Sequence, residues 1–273
     1  MIPAAFEYVR ASSVDEAVGL LGEHGDEAKL LAGGHSLLPL MKLRLATPGV
    51  LVDIGRIGDL SYVRGERAEV RIGALTRHCE LEASDVLAEQ APLLARVAGQ
   101  IGDPQVRHRG TIGGSIAHGD PASDLPAALL ALRATIVANG PAGERTVAAD
   151  DFFTGFLETA LAPDEVLTEI RVPAVAGAGW SFQKFNRRAQ DWAIVGVAAV
   201  LNGSPGIGLV NMASAPVRAA GAESALAGGA SAADAAARAD EGLDPPSDLN
   251  ASSDFRRHLV HVLTRRALEE AGA

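Results

Sequence analysis

The sequence predicts an α+β chain, and three observations carry that prediction. Short apolar runs of strand length alternate with helical patterns as far as Pro173. A stretch rich in Pro, Ala and Gly follows over residues 173–179 and reads as a linker. Beyond it come strand-like runs first and helices afterwards, the arrangement of a compact α+β unit.

The first helix is announced by Ser13-Val14-Asp15-Glu16, a capping box in which Ser13 receives the third helical N–H and Glu16 reaches back. Val14, Ala17, Val18 and Leu21 then share one face, and Gly25 is the stop. Residues 29–32 read as a strand running into the turn Ala32-Gly33-Gly34-His35-Ser36. Ser36 is positioned to cap the next helix, whose apolar face is Leu37, Leu40, Met41 and Leu45, with Pro39 tolerated in its first turn. Strands are predicted at 50–54, 70–73, 135–138 and 165–172, and helices at 91–101 and 124–132. After the linker, strands are predicted at 180–186, 192–201 and 208–212, with Gly203-Ser204-Pro205-Gly206 as a hairpin turn. Helices close the chain at 218–226, 232–240 and 253–271, the last spaced by Phe255, Leu259, Val262, Leu263 and Ala267. The Ala-rich segment 228–239 has few large side chains and is expected to pack weakly.

Composition excludes several classes. With 48% apolar residues the chain has ample material for a core. A net charge of −10 argues against nucleic acid as a partner. Cys79 is the only cysteine, which rules out an internal disulfide and fits a reducing compartment. An iron–sulfur cluster takes about four thiolates, so this chain alone holds none. The start of the chain lacks a basic segment and apolar core of the signal-peptide kind. The apolar run at 193–201 is well short of the roughly 20 residues that span a bilayer. The expectation is a soluble, cytoplasmic protein without a transmembrane segment.

Familiar chemical motifs are missing. There is no G-x-G-x-x-G opening a helix, no Walker lysine, no H-E-x-x-H and no G-x-S-x-G. His258 and His261 lie three apart but lack an acidic third ligand, and they read as surface residues rather than a metal site.

Two glycine-rich segments carry the functional signal. Paired glycines let the backbone turn sharply and bring bare N–H groups against a ligand, and successive N–H groups form a nest for phosphate oxygens. The first segment is the turn from Ala32 to Ser36, read either as a plain strand-to-helix turn or as a pyrophosphate seat at the helix start. His35 within it is open to three roles: exposed turn residue, polar contact, or covalent flavin anchor. The second is Thr111-Ile112-Gly113-Gly114-Ser115, also read as a turn, with Arg107 and Arg109 delivering positive charge just before it. Asp124 follows, either as acceptor for a ribose-like or ribityl hydroxyl or as cap of the helix behind it. Together they predict a large phosphorylated cofactor gripped from two sides.

These residues also carry a resemblance. Leu31-Ala32-Gly33-Gly34-His35-Ser36-Leu37-Leu38-Pro39 with Met41-Lys42-Leu43-Arg44, the run from Ile101 to Arg107, and Arg109-Gly110-Thr111-Ile112-Gly113-Gly114-Ser115 closely resemble the FAD-binding medium subunits of the molybdenum hydroxylases, the family of aerobic carbon monoxide dehydrogenase and xanthine dehydrogenase. The likeness continues through Asp164-Glu165-Val166-Leu167-Thr168-Glu169-Ile170-Arg171-Val172-Pro173, Lys184-Phe185-Asn186-Arg187-Arg188 and the run from Asp191 to Ala198, covering nearly the whole chain. It implies a two-subdomain FAD-binding domain of the vanillyl-alcohol-oxidase/MurB (PCMH) type, residues 1–54 and 55–175, then a small α+β C-terminal domain, 176–273. It implies that Ala32, Gly33, Gly34, His35, Ser36 and Leu37, with Thr111, Ile112, Gly113, Gly114 and Ser115, hold the pyrophosphate and flank the flavin. Asp124 would bind the ribityl chain, Ile101 and Leu167 would contact apolar parts of the cofactor, and Lys184 would lie near the flavin. The implied partners are a [2Fe-2S] small subunit and a molybdopterin large subunit in a dimer of heterotrimers, with an external electron acceptor. No catalytic acid–base residue and no metal ligand is assigned to this chain. A stand-alone flavin oxidase or reductase, or a flavin-free structural subunit, are the competing expectations.

Overall fold

A computed structural model of the chain describes residues 2–273. Its first unit runs β1 (Glu7–Arg10), α1 (Val14–His24), β2 (Ala28–Leu31), α2 (Leu37–Lys42) and β3 (Val50–Asp53). The three strands form a parallel sheet in the order β1-β3-β2. Ser13 Oγ accepts the Glu16 N–H at 3.1 Å as expected. The Glu16 carboxylate reaches one residue further back than expected, to the Ser12 N–H at 2.7 Å. Gly25 ends the helix with φ 53°.

The second helix departs from expectation. Ser36 sits at its N-cap position in a right-handed helical conformation (φ −101°, ψ −51°), and its hydroxyl makes no capping bond. Capping geometry needs an extended backbone there. The helix stops after six residues, Arg44 turns to φ 59°, and Leu45, expected on the apolar face, is 73% exposed.

The second unit contains β4 (Val63–Gly65), β5 (Glu69–Gly73), α3 (His78–Glu82), α4 (Asp85–Gln90), α5 (Pro92–Ala98), α6 (Pro104–Arg107), α7 (Ile112–His118), α8 (Asp124–Ala131), β6 (Thr135–Gly140), β7 (Gly143–Ala148), α9 (Ala149–Phe152), β8 (Phe153–Gly155), β9 (Glu158–Thr159) and β10 (Val166–Pro173). Five of its strands make an antiparallel sheet, β4-β5-β10-β6-β7. The second glycine segment is the start of α7 rather than an open turn, capped by Thr111 Oγ1 on the Gly114 N–H. Asp124 does not cap α8: it lies inside the first turn, and the N-cap position belongs to Ser123.

The third unit holds β11 (Gly179–Phe185), β12 (Val195–Asn202), β13 (Ser204–Val210), β14 (Val217–Arg218), α10 (Ala220–Ala227), α11 (Ala232–Ala236) and α12 (Ser253–Ala271). Its antiparallel sheet runs β11-β12-β13-β14. The hairpin turn is tighter than expected: Asn202 pairs with Ser204 around Gly203 (φ 66°), and Pro205 and Gly206 are already in the strand. Trp192 precedes β12 and is 61% exposed. The helix expected from residue 218 begins at Ala220, because Val217 and Arg218 pair with β13.

This sheet is covered on both faces, which explains the unbroken apolar run of β12. Phe182, Ala198, Val200 and Val210 join the core of the second unit. Val195, Val197, Ala199, Ile207 and Leu209 pack instead beneath the C-terminal helices. Gly206 and Gly208 lie directly on the Ala131 and Ala127 carbonyls of α8, so the helix and strand meet at backbone distance. The 173–179 stretch is tied down, with the Val175 N–H donating to the Gln90 carbonyl at 2.7 Å. The Ala-rich segment does not pack weakly: Ala232, Ala235, Ala236 and Ala239 are all buried, because small side chains let α11 approach α10 and α12 closely.

Candidate cofactor site

Between these units lies a cavity of about 830 Å³, within the range of roughly 300–1,000 Å³ typical of small-molecule and cofactor sites. Both glycine segments line it. At the first, Gly34 takes φ 76°, a conformation that L side chains rarely adopt. Gly33 lies on the other segment's backbone, where a Cβ would strike the Arg109 carbonyl and stand 3.0 Å from Gly110 Cα. Among the described residues, none accepts a hydrogen bond from the backbone N–H groups of residues 33–37. Gly33, Gly34, His35, Ser36 and Leu37 all line the cavity, and Ala32 leads into them. A run of free donors around a positive-φ glycine is the nest that phosphate oxygens fit.

The second segment is built differently. Its N–H groups are used internally: Ile112 on the Thr76 carbonyl at 3.0 Å, Gly113 on the Ala74 carbonyl at 2.8 Å, Gly114 on Thr111 Oγ1 at 3.2 Å, and Ser115 on the Thr111 carbonyl at 3.1 Å. It offers the cavity a smooth glycine surface and the hydroxyls of Thr111 and Ser115. Ile112 is fully buried in the core and is not part of the cavity wall. The positive charge expected ahead of this segment does not reach the cavity wall: Arg107 pairs with Glu82 at 2.9 Å and donates to the Ile101 carbonyl at 3.1 Å, and Arg109 is exposed outside the lining.

Asp124, Lys184, Ile101 and Leu167 all reach the cavity wall. Lys184 Nζ stands 2.6 Å from Asp124 Oδ2 and 3.1 Å from the Gln100 carbonyl. Burial holds the Asp124 carboxyl above its ordinary range, and Lys184 offsets only part of that rise. Its Oδ1 is buried without a partner, an acceptor left over at the wall where a cofactor hydroxyl would satisfy it. Sequence reasoning missed His78, Trp192 and the β8–β9 hairpin residues Leu157 and Glu158, which also line the cavity. No local pattern marks them, because each arrives through long-range packing.

The nest, the glycine wall, the leftover acceptor and the cavity's size fit a dinucleotide with a pyrophosphate at its centre. Fold and site therefore define a dinucleotide-binding protein. The comparisons agree. Residues 4–175 match the FAD binding domain in molybdopterin dehydrogenase, and 180–271 match the CO dehydrogenase flavoprotein C-terminal domain. The carbon monoxide dehydrogenase medium chain of Hydrogenophaga pseudoflava is 47% identical, covering 100% of this chain and 99% of its own. The medium chain from Afipia carboxidovorans is 43% identical over 100% of this chain and 99% of its own. A solved structure of the Hydrogenophaga pseudoflava dehydrogenase superposes with a TM-score of 0.95 at 47% identity, covering 99% of this chain and 98% of that one.

The chain belongs to the FAD-binding medium subunits of the molybdenum hydroxylases. It is an oxidoreductase subunit whose cofactor is FAD. Among the described residues no helix is long and apolar enough to cross a membrane.

Proposed function

We propose that this chain carries electrons from the iron–sulfur clusters of a partner subunit, through non-covalently held FAD, to an external acceptor. The flavin supplies the change from one-electron to two-electron transfer. The chain's own residues bind and orient it. The free N–H groups of residues 33–37 grip the pyrophosphate, the bare backbone at Gly114 lets it lie close, and Asp124 with Lys184 holds the ribityl and flavin end. Ile101 and Leu167 offer apolar contact. The observation that carries the reading is a dinucleotide-sized cavity lined by residues 33–37, whose five backbone N–H groups have no acceptor among the described residues.

With Cys79 as its single thiol, the chain cannot supply the clusters. A [2Fe-2S] small subunit and a molybdopterin large subunit, as a dimer of heterotrimers, would supply them and choose the substrate. The medium chains it resembles at 47% and 43% identity are named for carbon monoxide dehydrogenases, which supports that assembly. The single free thiol supports a cytoplasmic location.

The test is the absorbance spectrum of the purified protein with FAD, before and after acid precipitation. A flavin spectrum that moves wholly to the supernatant supports non-covalent binding. Colour kept in the pellet would favour attachment through His35, which lines the cavity, and a self-contained oxidase. Absence of flavin from the native assembly would leave a structural subunit as the reading.

A further inference from the structure

His78 is buried to 3% exposure in the cavity wall, yet nothing in the function above uses it. Its place is fixed by a short antiparallel clamp. The His78 N–H donates to the Gly110 carbonyl at 3.1 Å and the Ile112 N–H to the Thr76 carbonyl at 3.0 Å. The ring lies against Gly110, where a Cβ would come within 2.7 Å of Cδ2 and Nε2. This clamp brings Nε2 to 3.4 Å from the Ser115 hydroxyl, the ring's one polar contact, while Nδ1 is buried without a partner.

That asymmetry selects a tautomer. A proton on Nδ1 would leave a buried N–H donor orphaned, whereas a proton on Nε2 leaves only an unused lone pair, and orphaned donors are the rarer case in native proteins. Burial, with His35 and Arg107 nearby, holds the ring's pKa down to about 4, so it is neutral near pH 7. Nε2–H therefore donates to Ser115 Oγ. The Ser115 hydroxyl has one proton, no other acceptor for it among the described residues, and a position on the cavity wall.

We propose that His78 is a positioning residue for the cofactor: its Nε2–H occupies a Ser115 lone pair and turns the Ser115 hydroxyl into a donor aimed at a phosphate oxygen of FAD. This rests on the cavity being the FAD site. With its Nε2–H spent on the Ser115 hydroxyl, His78 acts on the cofactor through Ser115.

The test is a double-mutant cycle on the full chain, or on the assembly from which it is purified, with FAD affinity read by flavin fluorescence. H78F keeps the ring volume and removes the donor; H78Q keeps a neutral donor. One charge-assisted hydrogen bond is worth about tenfold or more in affinity. S115A and H78F should each weaken FAD binding about tenfold, and H78F should add less than about twofold on the S115A background. H78Q should restore most of the affinity. Selective 15N labelling of histidine should show His78 protonated at Nε2 at neutral pH, a readout on the wild-type protein that needs no variant to fold. Losses that multiply, an H78F protein that binds like wild type, or an Nδ1-protonated ring would overturn the inference while leaving the FAD site standing. A wild-type protein that binds no FAD would overturn both.

Discussion

Lys184 Nζ and Asp124 Oδ2 meet at 2.6 Å, joining two side chains that are 5% and 6% exposed and belong to different units of the fold. Lys184 comes from β11 of the C-terminal sheet and Asp124 from the first turn of α8. A buried pair of this kind roughly breaks even against apolar residues in stability, so stability alone does not explain it. It does fix a carboxylate, with one oxygen unspent, at the wall of the cofactor cavity.

Removing one partner should separate the two roles. Lys184→Met leaves the carboxyl buried without its cation and should cost about 3–5 kcal/mol in urea unfolding. Adding Asp124→Leu should recover much of that stability. FAD affinity should stay at least about tenfold lower in the double variant, because the polar anchor is gone. Recovery of both stability and affinity would show that the pair is structural only.

The adjacent glycines Gly113 and Gly114 should fail differently. A Cβ on Gly113 would sit 2.6 Å from Ala74 Cβ, inside the packed contact between α7 and the segment after β5. Gly113→Ala should therefore lower stability by about 1–3 kcal/mol, while the folded fraction still binds FAD. A Cβ on Gly114 meets Thr111 Oγ1 at 2.9 Å and Ala32 Cβ at 4.0 Å. Gly114→Val should cost about 1 kcal/mol through the disturbed cap, and its methyl groups would fill space on the cavity wall. Apo melting temperature and flavin occupancy, measured side by side, check the contrast; full occupancy in Gly114→Val would refute this placement of the site.

What the sequence made legible follows from the range of the forces involved. The long terminal helix lies at Ser253–Ala271 as predicted, because the buried stripe of Leu259, Leu263 and Ala267 and the Ser252 cap are local signals, although Phe255, expected on that stripe, is 42% exposed. Gly34 was legible because a positive φ is a property of one residue. Ile112 was not: inside a glycine motif, cavity-facing and core-facing positions look alike until a helix register separates them. The basic run before that motif suggested phosphate, but Glu82, 25 positions away, takes Arg107. His78 left no trace, since it needs residues 76–78 to pair with 110–112 before it meets Ser115.

Acid should weaken the fold through His78. Its pKa is held near 4 in the folded chain against 6.5 for the free side chain, mainly by burial. Between those values the unfolded chain binds a proton that the native one does not, so stability falls as pH drops through this window and is level above it. The full effect is roughly 3 kcal/mol. Urea titrations from pH 4.5 to 7.5 should show a shallower decline for His78→Gln than for wild type, the difference isolating this residue from the carboxylates. Parallel curves would mean that His78 titrates normally.

The Ala-rich segment supplies a test far from the cofactor. Ala235 is fully buried where α11 closes on its neighbouring helices, while Ala237, just past the end of α11, is exposed. Its small side chains set the distance between helices, so a larger one has nowhere to go. Ala235→Leu should cost about 1–3 kcal/mol by overpacking, whereas Ala237→Leu should stay within about 0.5 kcal/mol of wild type. None of these residues lines the cavity, so FAD affinity per folded molecule should be unchanged in both. Equal midpoints for the two variants in urea would mean that the segment yields to accommodate bulk, and that its burial reflects loose coverage rather than close packing.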